Sequence, residues 1–280
     1  MKNCLSIDVE SWAYGDTPEF RSMTSLQRKQ ADNGYLLSSM RKVLGWLRES
    51  NVKLTLFMIG EQFDWYPELV EEILSDGHEL GLHAYRHYRI DDAASLRQDL
   101  ECAMPAVQKY GVKGYRAPLI HLPDGGFDIL KAFGFVFDSS VYGPYSMCGS
   151  YHGIQEVPIT SLVLKETDIP MQLPRHLSFG NILKKGEFPL GASYFVGLLG
   201  NAITPFIHHL NKQGKPGVFF LHNWQLVPRP AGAFPPPSYV WKHPLYWPLT
   251  RNLEKPFLSW LRTLEFDKMS TFCSTKERPC

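Results

Sequence analysis

Several features are scarce in this chain. Its five cysteines (Cys4, Cys102, Cys148, Cys273 and Cys280) are scattered, odd in number and form no Cys-x-x-Cys pair. That spacing argues against both a disulfide framework and a thiolate metal knuckle. Charge of one sign is lacking too, since 29 Lys and Arg balance 28 Asp and Glu for a net charge of +1. With no basic excess and no acidic tail, nucleic acid is not an expected partner. Long hydrophobic runs are also missing. The longest apolar window, Tyr194 to Leu210, is interrupted by Asn201, Thr204, Pro205, His208 and His209; it reads as a buried helix, not as a membrane span. The chain opens on the strand-like run Cys4-Leu5-Ser6-Ile7 rather than on a charged start and a long apolar stretch. We therefore expect no signal peptide and a reducing, cytoplasmic location. No internal repeat or low-complexity linker divides the sequence.

What is present is a chain of 280 residues, 44% hydrophobic and 20% charged, enough for one large α/β domain or two small ones. Residues 3–9 read as a first strand, followed by a polar, aromatic loop to about Asn33. Leu36, Met40, Leu44 and Leu47 recur at helical spacing up to about Ser50. Val52 to Ile59 alternates as a second strand. Pro67 opens a helix that Gly77 closes, and His78 to Leu82 is a third strand. A helix over about 92–110 follows, with Pro105 as an expected kink. Val112 to Tyr115 and Phe135 to Asp138 are the next strands, separated by a short helix carrying Phe127, Leu130 and Phe133. Glu156 to Ile159 is a sixth strand in a region, 145–190, that is rich in loops. Gly217 to Leu221 is a late strand, Pro228 to Pro237 a long loop, and about Glu254 to Leu264 a last helix.

Strands and helices alternating at this spacing predict parallel strands joined by crossover helices. Polar and charged residues then fall at the C-terminal ends of five strands: Asp8 and Glu10, His83 and His87, Arg116, Asp138, and His222. In a barrel of such units that end carries the active site.

The chemistry follows from these residue types. His83 and His87 are four apart, so one helical turn would aim both imidazoles the same way. Asp8 and Glu10, two apart at a strand end, share a face. Two carboxylates and two imidazoles suit a divalent ion such as zinc, cobalt or nickel. A catalytic ion needs only three protein ligands. The economical allocation is Glu10, His83 and His87 as ligands, with Asp8 free as a base. His222 could protonate a leaving amine, and Arg116 could hold Asp8 in its ionised form. Each residue alone has an ordinary explanation, such as a strand-end cap, a salt bridge or a core histidine; their joint placement is the signal.

The sequence resembles the polysaccharide deacetylase family, the NodB-homology carbohydrate esterases, over roughly residues 3–225. Leu54-Thr55-Leu56-Phe57-Met58-Ile59-Gly60, Pro67-Glu68-Leu69-Val70 and Gly77-His78-Glu79-Leu80-Gly81-Leu82-His83 are similar to its most recognisable run. The resemblance implies a distorted (β/α) barrel of about seven to eight parallel strands in a single catalytic domain over 1–280, with 226–280 as a C-terminal loop and helix. It implies Asp8 as catalytic base and Glu10, His83 and His87 as ligands of a divalent metal, zinc first. Arg116 of Arg116-Ala117-Pro118 would support the base, the Leu119 N–H would hold the oxyanion, and His222 would be the general acid. Asp138, Tyr142 and Trp224 would face substrate.

There are departures. Val9 separates the two acids of the first motif. Val141-Tyr142 stands where the fourth motif usually has an Asp-Trp pair, so His222 lacks its customary carboxylate unless Asp138 or another group replaces it. Ala84 stands where a small hydroxyl residue is common. Arg86 lies inside the second motif, where it must either face away from the ion or bind an anionic substrate. The implied activity is hydrolytic removal of an acetyl or formyl group from an N-acylated sugar. A cytoplasmic location suggests a nucleotide- or lipid-linked sugar, with Arg86, Arg89 or the aromatic 239–247 loop meeting phosphate or the inner membrane face. Two other readings remain: an allantoinase-like amidohydrolase acting on a small amide, and a degenerate barrel that only binds carbohydrate.

Overall fold

The computed structural model describes residues 1–14, 18–164 and 173–272; Cys273 and Cys280 lie outside the described residues. Its strands, in chain order, are β1 (Lys2–Val9), β2 (Thr55–Met58), β3 (Glu79–Leu82), β4 (Gly114–Tyr115), β5 (Phe137–Asp138), β6 (Tyr142–Gly143), β7 (Gly149–Tyr151), β8 (Ile154–Glu156), β9 (Ile159–Thr160), β10 (Leu162–Val163), β11 (Glu187–Phe188), β12 (Val218–His222) and β13 (Glu265–Asp267). Seven of them form a parallel run in the order β12-β1-β2-β3-β4-β5-β8. β7 adds antiparallel to β8 at one edge. The sheet curls without closing. Between β8 and β12 the gap is bridged by single hydrogen bonds instead of a ladder: Val218 N–H donates to Thr160 Oγ1 (2.8 Å) and Phe220 N–H to Gly191 O (3.0 Å). This is the distorted barrel expected from the sequence.

Period-two alternation sorts the side chains. On β1, Leu5, Ile7 and Val9 point outward into the core shared with the helices, while Cys4 joins an inner cluster with Phe57, Phe137, Val157 and Val218. The outer core takes Leu36, Met40, Val43, Leu44 and Leu47 from the helix Tyr35–Glu49. It also takes Leu96, Leu100 and Val107 from the helix Ala93–Tyr110, which continues through Pro105. Pro67 and Gly77 bound the helix Pro67–Ser75 much as expected. The inner row is apolar at the N-terminal end and becomes polar upward: Cys4, Ser6, Asp8; Gly81, His83; Gly114, Arg116; Val218, Phe220, His222. Parity therefore carries these polar residues to one mouth of the barrel.

Three expectations need correction. The stretch before Asn33 is not simply a loop; it holds the helices Pro18–Ser22 and Ser25–Asp32. Thr24 and Gln27 close a capping box on the second of these, so the local signal Thr-x-x-Gln outweighed the polar composition. The window from Tyr194 to Leu210 is broken at Gly200 (φ 55°, ψ −133°) into Ser193–Leu199 and Thr204–Lys212. No helix among the described residues is long and apolar enough to cross a membrane. The C-terminal segment is more than a loop and a helix, because β13 pairs parallel with β1 and the Met269 N–H donates to Thr55 Oγ1 (2.7 Å).

Candidate functional site

The polar mouth is a cavity of about 390 Å³ lined by, among others, Asp8, Glu10, His83, His87, Leu119, Tyr142, His222 and Trp224. Asp8, next to the last residue of β1, stands opposite His222 of β12 in the parallel register. Arg116, fully buried, donates from Nη1 to Asp8 Oδ1 (2.6 Å) and to Ser6 Oγ (2.9 Å). Its other donors go to Ser139 O (3.2 Å) and Ser139 Oγ (3.0 Å). The guanidinium lies between the Phe57 and Phe220 rings, 4.1 and 5.1 Å from their centroids. A charge so enclosed is tolerable because each guanidinium nitrogen has an acceptor and a carboxylate faces it.

Glu10 sits in the middle of three imidazoles. Its Oε1 lies 3.0 Å from His83 Nε2, 3.2 Å from His87 Nε2 and 3.7 Å from His222 Nε2. Burial alone would raise the Glu10 pKa, but the charges of His87 and His222 and hydrogen bonds from His83 and His87 hold it well below the usual carboxylate range. His87 is raised from its ordinary value, burial being outweighed by Glu10 and Asp8. His83 Nδ1 is 2.9 Å from Arg116 O. A carbonyl can only accept, so Nδ1 carries a proton, which leaves Nε2 as the nitrogen that would present its lone pair to a bound cation. Donor atoms of Glu10, His83 and His87 lie within 4.8 Å of one another, as do those of Asp8, Glu10 and His222. This set of one carboxylate and two imidazoles, with His83 Nε2 directed inward, fits a divalent cation of the zinc, cobalt or nickel type.

The two histidines reach this point by a route other than the expected helical turn. Residues 83–87 form no helix, and Ala84 turns at φ 56°. The loop is held by groups that sequence reasoning missed. The Asp99 carboxylate accepts the Tyr85 N–H (2.7 Å) and the Arg86 N–H (3.2 Å). On the other side Gly60 N–H donates to Ala84 O (2.8 Å) and Glu61 N–H to Tyr85 O (3.1 Å). Gly60 has no room for a side chain, since a Cβ there would stand 2.8 Å from Tyr85 Cα. Arg86 faces away from the ion site: its Nε donates to the buried Glu61 Oε1 (2.6 Å), which also pairs with the buried Arg28. Arg89 lines the cavity and pairs with Asp91 (2.5 Å).

At the far wall, His222 Nδ1 lies 3.1 Å from Gln225 Oε1, which also accepts the His222 N–H at 3.1 Å. Trp224 stacks on the His222 ring at 4.2 Å and its Nε1 donates to Glu10 Oε2 (3.3 Å). Leu119 is 60% exposed and, like Ile120, has a positive φ (57° and 52°) that bends the chain after Pro118 toward the cavity rim. Tyr142 lines the cavity, its hydroxyl pKa raised by burial.

Asp138 is the exception. Phe137 points into the barrel, so its neighbour faces the opposite side. There Asp138 is fully buried and accepts from Ser140 Oγ (2.7 Å) and Ser140 N–H (3.0 Å). It neither lines the cavity nor replaces the missing partner of His222; Gln225 takes that place. Its neighbour across the register is Glu156. Burial raises both carboxyls, Glu156 well above the usual carboxylate range, with the charge of Asp138 adding to the effect.

Fold and site together define a curled parallel α/β barrel with a carboxylate–imidazole cluster, a candidate cation site, at the C-terminal ends of its strands. Residues 31–131 match the family model for polysaccharide deacetylase. Over 86 residues the chain is 33% identical to a peptidoglycan-N-acetylglucosamine deacetylase of Bacillus cereus, covering 31% of this chain and 39% of that protein. Over 100 residues it is 27% identical to a peptidoglycan-N-acetylmuramic acid deacetylase of Bacillus subtilis, covering 35% and 21%. The chain thus aligns with less than two-fifths of the length of either relative. A crystal structure titled as a "putative polysaccharide deacetylase" of Mycobacterium smegmatis superposes with a TM-score of 0.59 at 20% identity, covering 96% of this chain and 88% of that one. Another, from Pseudomonas aeruginosa and titled a probable polysaccharide deacetylase, gives 0.57 at 16%, covering 96% and 88%. In sequence the likeness to the polysaccharide deacetylase family extends over residues 31–131, and these solved structures share the fold.

Proposed function

We propose that the protein is a metal-dependent hydrolase that removes an N-acyl group, acetyl or formyl, from a sugar. One observation carries the reading. Asp8, Glu10, His83, His87 and His222 come from three separate strand ends and converge on one cavity, where two donor groups each lie within 4.8 Å. The similar proteins named above, deacetylases of peptidoglycan sugars, support the same bond and substrate class.

Glu10, His83 and His87 would hold the cation, with zinc the first candidate and cobalt or nickel alternatives. When bound, the ion supplies Lewis acidity toward the acyl oxygen and toward a water. The remaining work falls to the chain. Asp8, fixed by Arg116, takes a proton from the attacking water, whose oxygen bonds to the acyl carbon. The Leu119 N–H, from the rim of the cavity, would meet the oxyanion. The carbon–nitrogen bond then breaks as His222 gives its proton to the leaving nitrogen, yielding a free amine and a carboxylic acid. The walls suit a sugar: Trp12, Tyr142 and Trp224 offer ring faces, and Arg229 at one end offers a cation to any attached phosphate. That last feature favours a nucleotide- or lipid-linked substrate. A domain spanning 1–280 and a cytoplasmic location belong to the same proposal.

The test is metal analysis together with deacylation of N-acetylated sugar oligomers. Asp8→Asn should retain the ion and lose turnover, whereas His83→Ala should lose the ion. Turnover by Asp8→Asn at the wild-type rate refutes the assignment. No observation specifically favours the small-amide hydrolase or the binding-only barrel.

A further inference from the structure

A second concavity, about 990 Å³, adjoins the site. It is lined by Trp241, Pro244 and Trp247, and it shares Trp224, Arg229 and Thr250 with the catalytic cavity. Its outer lip is unusual. Trp241 is 88% exposed, Leu245 74% and Trp247 49%, and Lys242 and His243 between them are exposed as well. These are the two exposed tryptophans among the described residues. Leu198 and Leu199, at the end of the helix Ser193–Leu199, are exposed as well. Arg251 joins the two segments, donating to Gly197 O (2.9 Å) and Leu198 O (3.0 Å) while its guanidinium sits 5.2 Å from the Trp247 ring centroid. Gly197 presses directly on Pro248. These contacts join two segments that carry exposed apolar side chains beside the mouth of the barrel.

Charge distinguishes this face from a generic sticky patch. The whole chain is nearly neutral, yet no Asp or Glu occurs anywhere between Glu187 and Glu254. The lip itself carries Arg229, Lys242 and Arg251 and no acid. Glu254, at its border, is taken by Lys42 (3.4 Å). Large aromatic and leucine side chains interleaved with unopposed cations match an anionic lipid–water interface: the rings sit at headgroup depth and the cations meet lipid phosphates. The segments are far too short to span a bilayer; the helices here are Pro237–Lys242 and Trp247–Thr250. Contact is therefore peripheral.

We propose that the face formed by Leu198, Leu199, Trp241, Leu245 and Trp247, with Lys242 and Arg251, docks the protein on an anionic lipid bilayer, holding the catalytic cavity against the membrane surface. The proposal stands on the surface alone and does not need the hydrolase reading.

The experiment is co-sedimentation of the full chain with vesicles of phosphatidylcholine alone and of phosphatidylcholine containing a third phosphatidylglycerol. Binding should occur to the anionic vesicles and weaken as salt rises, because the charges lie at a screened surface. The double variant Trp241→Ala, Leu245→Ala should bind ~tenfold more weakly, having lost two interfacial anchors. Both residues are exposed, so its thermal unfolding should match the wild type, and its metal content and turnover of a water-soluble substrate should be unchanged. Failure here would thus leave the hydrolase reading standing, and the converse also holds. Absence of vesicle binding, or binding undiminished in the double variant, overturns the proposal. So does a concentration-dependent dimer that the double variant abolishes while vesicles bind neither protein, since a second copy would then be the occupant.

Discussion

Asp99 is the sharpest test of how the ion site is built. It lies on the helix Ala93–Tyr110, outside the cavity, and grips the His83–His87 loop through two backbone N–H groups at 2.7 and 3.2 Å. Hydrogen bonds to a carboxylate contribute ~1.5–3 kcal/mol each. Asp99→Ala leaves both donors without an acceptor, so a loss of ~2–4 kcal/mol of stability is expected after partial hydration of the exposed Arg86 N–H. The loop then loses the clamp that returns His87 to Glu10. Outer contacts of this kind typically change metal affinity 10–100-fold, and a drop in that range is expected here. Competition against a calibrated chelator reads the affinity, and thermal unfolding of the metal-free protein reads the stability. A titration adds an independent sign. Burial raises the Asp99 pKa to about 6, against the lowering effect of the two N–H groups. A carboxyl raised in the folded state favours folding most at low pH and less as pH rises through that value. Relative to Asp99→Asn, the wild type should therefore lose stability between pH 4 and 6, by at most about 3 kcal/mol. If metal affinity in Asp99→Ala stays at the wild-type value while stability falls, the loop is set by other contacts and the argument fails.

Three further outcomes are expected. Gly60→Ala should cost ~1–3 kcal/mol by overpacking and weaken metal binding as well, because the added carbon meets Tyr85 Cα; paired calorimetry and metal titration would check both. Gln225→Ala should lower kcat ~10-fold or more with KM and metal content unchanged, with Gln225→Glu restoring much of the rate, as befits a residue that positions the proposed acid. A proportionate rise in KM instead would mark it as part of substrate binding. His78 is neutral in the fold, accepting the Leu54 N–H at Nδ1 (3.2 Å), and burial with Lys53 nearby lowers its pKa to about 4. The unfolded chain protonates first, so this group should remove up to about 3 kcal/mol of stability as pH falls from 6.5 to 4. His78→Gln should flatten that slope in urea melts taken across the range.

Much of the fold was legible because its signals are local. The alternation on β1 and β12, the Pro67 and Gly77 helix limits, and Gly111 closing the helix Ala93–Tyr110 depend on few neighbours. Where the sequence reading failed, longer-range geometry decided. The Thr24–Gln27 cap was present in the sequence but hidden in a polar context. β13 has only three residues, and it is a strand because the Lys2–Cys4 end of β1, ahead of its pairing with β2, accepts it. For the site, parity was the usable signal. Asp8, His83, Arg116 and His222 share the inner face of their strands, and the same rule, once Phe137 is known to point inward, removes Asp138 from the cavity.

The sequence by itself determined which residues could do chemistry and which strand ends they occupy, because residue type and period-two alternation are properties of the local chain. Tertiary structure alone decided how they are held. The left-handed turn at Ala84, the Asp99 clamp, the Arg116 carbonyl that orients His83, and Gln225 in place of a carboxylate beside His222 all join groups distant in sequence or set by backbone path. A buried polar atom takes whichever partner the fold brings within about 3 Å, and no spacing rule in one dimension specifies that choice.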